Sequence, residues 1–297
     1  MVLVSQSPNS LRSRFLDGFL TGCLGLLVTG CWLVAAQAQT HRPSGPESST
    51  QLLVVTTSRW DAVEGRLQRY ERTDPGRNWK AVGQSVNVVV GKSGLGWGLG
   101  LLSADSHLVR AGSDPVKKEG DGRAPAGVFR LSSAFGYAPQ QPPGWKMPYI
   151  GVTRSVECVD DTSSKFYNRI VDRGTVSPDW SSSEHMLLSD ERYRWGIVVD
   201  HNAGHNGGPP APGGGSCIFL HIWLGPDSST VGCTAMEQEQ LEAVLAWLDP
   251  ARSPILVQLP MPKYKALKKQ WRLPPLTGAD HHRKSATVHS SQFLRPS

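Results

Sequence analysis

Residues 216–259 read SCIFLHIWLGPDSSTVGCTAMEQEQLEAVLAWLDPARSPILVQL, and the order of patterns along them decides the fold. The stretch opens on an apolar, β-rich run, Ser216–Trp223, which reads as a strand. Gly225-Pro226-Asp227 then turns the chain back. From Glu237 onward, Leu241, Val244, Leu245 and Leu248 recur at the spacing of a single buried helical stripe. Thr234 and Glu237 have the form of a capping box, which predicts a helix start at Thr234. Asp249-Pro250 ends that helix, and Ile255–Leu259 reads as a closing strand.

One thiol and one imidazole lie inside this stretch. Cys233 sits just ahead of the predicted helix, with Gly232 before it. Unpaired N–H groups and the positive dipole end at such a position favour thiolate over thiol. The expectation is therefore a Cys233 pKa below the free value of about 8.5. Gly232 lets the backbone turn tightly, and N–H groups in the turn are placed to receive an oxyanion. The turn at 225–227 brings His221 back toward Cys233, where it can take the thiol proton and later return it to a leaving amine. From spacing alone, a structural histidine beside a buried cysteine stands equally open.

Outward from this region the chain stays β-rich. Gln51–Ser58, Trp79–Val82, Ser85–Gly91, Gly127–Leu131 and Trp195–Asp200 all read as strands, with a tight turn expected at Gly83-Gln84. Gly94–Gly98 alternates glycines but lacks the helix that a dinucleotide loop must open, so it reads as a bend. The 31 glycines and 22 prolines, spread along 297 residues, imply many turns and favour a mainly β fold with one helix after Cys233. Asn206–Gly215 is the most glycine- and proline-rich loop and is placed to move over a site.

The ends have a different character. Arg12 and Arg14 precede the uncharged stretch Gly18–Ala36, and Ala36-Gln37-Ala38 follows as a cleavage signature, so 1–38 reads as a signal peptide. An uncleaved membrane anchor remains open, as does a lipobox, Val28-Thr29-Gly30-Cys31, with lipid on Cys31. All three place the body outside the cytoplasm, in the periplasm or cell envelope. Residues 39–50 read as a polar linker, 51–275 as the catalytic body and 276–297 as a basic, disordered tail. The net charge of +6 concentrates toward this end, which reads as solvated rather than as a nucleic-acid surface.

The mature body holds Cys158, Cys217 and Cys233, an odd number for an oxidising compartment. One pair and one free thiol follow, with Cys158–Cys217 the candidate disulfide and three unpaired cysteines the alternative. The available Cys and His residues lack close metal-ligand spacing, so no metal site is expected.

The segment Gly215–His221 followed by Thr230-Val231-Gly232-Cys233 resembles the catalytic signature of the L,D-transpeptidases (YkuD-type). The turn Gly120–Gly127 and the segments Cys158–Asp161, Tyr167-Asn168, Glu184–Met186 and Trp195–Asn202 are similar to a divergent branch of that family. The resemblance implies a β-sandwich-like or barrel-like catalytic domain without metal or organic cofactor. It also implies an acyltransferase that acts on peptidoglycan stem peptides: Cys233 as nucleophile releases terminal D-alanine, with His221 as base and Gly232 and Cys233 as oxyanion contacts. The acyl group then passes to an amine, or to water in a carboxypeptidase or amidase. Acylation by carbapenems is a further expectation of the resemblance. Val231 and Thr234 depart from the commoner motif. Thr230 is placed to bind substrate or brace the turn. His201 and Asn202 at a strand end, and Arg123 with its planar guanidinium, are candidate substrate contacts.

Overall fold

The computed structural model describes residues 47–102, 112–204 and 208–276. The expected signal peptide or anchor over 1–38 with its candidate lipobox at Cys31, the basic tail beyond 276 and residues 206–207 of the glycine-rich loop lie outside the described residues. Among the described residues, no helix is long and apolar enough to cross a membrane.

The strands in chain order are β1 (Gln51–Thr57), β2 (Glu64–Glu71), β3 (Lys80–Val89), β4 (Leu95–Trp97), β5 (Ala124–Gly136), β6 (Tyr149–Gly151), β7 (Val156–Val159), β8 (Ile170–Asp172), β9 (Ser183–His185), β10 (Trp195–Val199), β11 (Phe219–Ile222), β12 (Thr234–Met236) and β13 (Ile255–Pro260). Two helices, α1 (Gln238–Trp247) and α2 (Met261–Leu267), flank β13. The main sheet runs β10-β11-β12-β3-β2-β1-β13-β5-β4, and β10 also pairs with β5. That extra pairing closes the sheet on itself as a barrel-like ring, which leaves few free edges.

Every residue of β1 is buried, because it lies between β2 and β13 and both its faces are covered. Its apolar residues join one continuous core with Leu67, Phe129, Ile197, Leu220 and the α1 stripe Leu241, Val244, Leu245 and Leu248. Gln51 clamps the end of α1 to this strand: its Nε2 donates to the Trp247 carbonyl (2.7 Å), and its Oε1 accepts from Asp249 N–H (2.8 Å).

A second, smaller sheet, β8-β7-β9, stands apart from the ring. It covers a separate apolar cluster that contains Phe135, Met186, Tyr193, Phe219 and Cys233.

Two local expectations are corrected. Thr234–Met236 is strand β12, parallel to β11, and α1 starts only at Gln238 with no side-chain cap at Glu237. The Thr234 hydroxyl donates to Gln258 Oε1 (2.7 Å) rather than capping a helix, so sheet pairing overrides the local capping pattern. Trp79–Val82 and Ser85–Gly91 do not form two strands about a turn. They belong to the single strand β3, which bulges where its register against β2 shifts between Leu67 and Arg69. Gly83 supplies the left-handed φ of +66° that the bulge requires.

Candidate active site

The β11–β12 ladder sets Leu220 beside Thr234 and His221 beside Ala235. Side chains alternate along a strand, so Phe219 and His221 share one face, and Cys233, two residues before Ala235, meets that same face. The Phe219 N–H donates to Cys233 Sγ (3.3 Å), and the thiol donates to the Cys217 carbonyl (3.5 Å). Cys233 and His221 both line a small pocket of about 100 Å3, together with Glu184, Arg192, Tyr193 and Trp223. A wider surface groove of about 930 Å3 also touches Trp223 but contains neither the thiol nor the imidazole.

The thiol is buried, and burial pushes its pKa up to about 12. This reverses the expectation of a lowered value, because the residues after Cys233 form a strand and offer no helix N-terminus to stabilise a thiolate. The resting Cys233 side chain is therefore a neutral thiol. His221 is also buried, and burial lowers its pKa from 6.5 to about 4, so its imidazole is neutral as well. Its Nδ1 lies 2.7 Å from the Ile222 carbonyl, which can only accept. The ring proton is thus on Nδ1, and Nε2 carries the lone pair. The Tyr193 ring packs edge-on against this imidazole, with centroids 5.2 Å apart.

The turn before Cys233 is braced internally. Thr230 Oγ1 donates to the Cys233 carbonyl (2.6 Å) and accepts from Gly232 N–H (3.1 Å). The Gly232 N–H is therefore already used, whereas the Cys233 N–H has no hydrogen-bond partner among the described residues. Thr230 lines the pocket, but its hydroxyl is spent on the turn.

The disulfide joins Cys158 of β7 to Cys217, with a Cα–Cα distance of 6.0 Å, and leaves Cys233 as the free thiol. Cys217 adopts a left-handed φ of +55°, and its N–H donates to Asn168 Oδ1 (2.9 Å). The small sheet is thus fastened beside the thiol by a covalent link and a hydrogen bond.

The other sequence candidates lie elsewhere. His201 accepts from Leu99 N–H at Nδ1 (3.2 Å) and faces the Gly214 carbonyl at Nε2 (2.9 Å). The Asn202 amide donates to the carbonyls of Ala211 (2.9 Å) and Gly215 (3.0 Å) and accepts from Ala211 N–H (2.8 Å). Both side chains are buried and fully engaged in holding the glycine-rich loop, a placement that argues against substrate contact. Arg123 donates to the carbonyls of Ser93 (2.7 Å) and Leu95 (2.9 Å), so its guanidinium braces a turn and does not line the pocket. No cluster of three or more His, Cys, Asp or Glu side chains suited to a metal ion occurs among the described residues.

Glu184, Tyr193 and Arg192 reach the pocket from the segment that carries the small sheet, far from Cys233 in sequence. Nothing in their local spacing marks them as neighbours of the thiol.

A neutral thiol and a base-form imidazole on one pocket wall, with a backbone N–H free beside the sulfur, is the arrangement used by cysteine-dependent acyl chemistry. The L,D-transpeptidase catalytic domain family (YkuD) matches residues 61–257, well over half of the chain. The protein belongs to that family of enzymes, which act on peptidoglycan. No curated protein and no solved structure matches the chain.

Proposed function

We propose that the protein is a peptidoglycan L,D-transpeptidase whose Cys233 forms an acyl-enzyme with a stem tetrapeptide and releases D-alanine. The observation that carries this reading is the His221 tautomer: Nδ1 is held by the Ile222 carbonyl, and Nε2 is left as the base in the pocket that holds the thiol. Because the resting pair is neutral, proton transfer accompanies attack. As sulfur bonds to the carbonyl carbon at the third stem position, the thiol proton moves to Nε2. The Cys233 N–H takes the developing oxyanion. When the tetrahedral intermediate collapses, the imidazolium gives its proton to the departing D-alanine amine. The acyl group then passes to an amine of another stem, of a protein lysine or of a free D-amino acid, in cell-wall remodelling. The uncharged N-terminal segment supports action in the periplasm, after cleavage or with an anchor left in the membrane.

Intact-protein mass spectrometry with a carbapenem tests the first half of this cycle. The expected result is a covalent adduct on the native protein and none on Cys233→Ala. No adduct on a folded native protein would remove Cys233 as the acyl acceptor. Incubation with peptidoglycan then separates transfer, which creates cross-links, from the alternative of hydrolysis by the same Cys233–His221 pair, which only shortens stems.

A further inference from the structure

We propose that Glu184 binds the acceptor amine and takes the first proton that this amine must lose, a role that rests on the acyl-enzyme reading above. Two observations place it. Glu184 is the one carboxylate among the described residues that line the pocket of Cys233 and His221. Its Oε1 accepts from the Tyr193 hydroxyl (2.5 Å), and its Oε2 has no partner among the described residues. The side chain is half-buried in β9, so one oxygen is anchored and the other is open to an incoming group.

The chemistry of deacylation explains why a carboxylate belongs there. Once D-alanine has left with its proton, His221 is neutral again. A water that attacks the thioester loses one proton on forming the acid, and His221 can carry it to sulfur. An amine arrives as an ammonium and must lose two protons on forming an amide. In the balanced step, the ammonium gives one proton to the Glu184 carboxylate and becomes a free amine. The amine nitrogen then bonds to the thioester carbon, His221 Nε2 takes its second proton, and the C–S bond breaks. The imidazolium returns that proton to sulfur, and the Glu184 carboxylic acid later releases its own to solvent. Burial raises the Glu184 pKa, which suits a proton acceptor, and the neighbouring charges are Arg192 and Asp160. Carboxylate and imidazole thus divide the two protons of an amine acceptor, while water needs only the imidazole.

The test uses the whole chain with a donor tetrapeptide stem and an isotope-labelled tripeptide stem, which can accept but not donate. The first-turnover burst of D-alanine reads acyl-enzyme formation, and the ratio of cross-linked dimer to unlabelled tripeptide reads transfer against hydrolysis. In Glu184→Gln the ratio should fall about 100-fold, at the low end of what a positioned proton acceptor contributes, with the D-alanine burst retained. Glu184→Asp keeps a carboxylate on the same pocket wall and should retain more of the transfer than Glu184→Gln. An unchanged ratio in Glu184→Gln overturns the proposal. So does an equal fall in both variants, a loss of the D-alanine burst in Glu184→Gln, or a wild-type chain that yields only tripeptide. A wild-type chain that releases no D-alanine at all overturns the acyl-enzyme reading itself, which is a separate failure.

Discussion

His201 and His221 are both buried, and burial pulls both pKa values down to about 4, yet the fold uses them in opposite ways. His201 has both ring nitrogens occupied, one by the Leu99 N–H and one by the Gly214 carbonyl. Its ring is a cross-brace between the end of β4 and the glycine-rich loop. His221 has only Nδ1 occupied, by the Ile222 carbonyl next in its own strand, and Nε2 looks into a pocket with a thiol. Burial and a shifted pKa therefore do not distinguish the two rings, and the unspent nitrogen of His221 does.

The sharpest way to break this comparison is to truncate each ring in turn. His221→Ala should slow acylation of Cys233 by about 10²–10⁴-fold, the range expected for loss of a positioned base, and should lower the melting temperature less than His201→Ala because it orphans one backbone group, the Ile222 carbonyl, instead of two. His201→Ala should do the reverse. It leaves the Leu99 N–H and the Gly214 carbonyl without partners inside the fold, at a cost of about 1–3 kcal/mol each, while the thiol keeps its base. Thermal unfolding and single-turnover acylation, measured on both variants, check the split. Equal losses of rate would mean that His201 takes part in the chemistry.

Acid separates the two rings less drastically. An unfolded histidine titrates near 6.5, whereas each folded ring resists protonation down to about 4. Above 6.5 both states are neutral and neither ring affects stability. As pH falls from 6.5 toward 4, the unfolded chain gains protons that the folded chain cannot, so stability declines through that window and levels off below it. His201→Gln should flatten part of that decline and leave the pH dependence of acylation as it was. With His221 as the proposed base, acylation should persist to about pH 5 because its imidazole stays neutral there. Urea midpoints and acylation rates across this range test both statements. A rate that already falls with an apparent pKa near 6.5 would contradict the buried, neutral His221.

Much of this arrangement was legible in the sequence, for physical reasons. Gln51–Ser58 and Ile255–Leu259 announce strands because both their faces are buried and demand unbroken apolar runs. The α1 stripe of Leu241, Val244, Leu245 and Leu248 announces a helix because it buries one face only. The start of α1 departs from the local pattern because Thr234 satisfies two rules at once, and the long-range ladder to β11 outweighs the local cap. The Cys233 thiol, in turn, gains no help from a helix end, which lies four residues beyond Thr234. Glu64–Glu71 carries no clear strand signal because charged residues break its apolar pattern: Glu64 and Arg66 are exposed, whereas Arg69 and Glu71 are half-buried. The union of Glu184 and Tyr193 with the thiol was out of reach. It depends on how a distant segment folds over the ring beside the Cys158–Cys217 link.

Thr230 extends the comparison to a residue inside the pocket and predicts the smallest effect. Its hydroxyl is as fully spent as the His201 ring, with one bond given to the Cys233 carbonyl and one taken from Gly232 N–H. If spent polar atoms mark structural roles wherever they lie, Thr230→Val should cost about 1 kcal/mol per lost hydrogen bond and lower the melting temperature. Its effect on acylation should remain well below that of His221→Ala. The substitution also releases the Gly232 N–H beside the Cys233 N–H, so part of any rate lost through a looser turn is offset by a second donor to the oxyanion. Thr230→Ser keeps the hydroxyl and should match the native protein in both measurements. A Thr230→Val variant as slow as His221→Ala would show that proximity to the thiol, rather than an unspent polar atom, decides which side chains carry the chemistry.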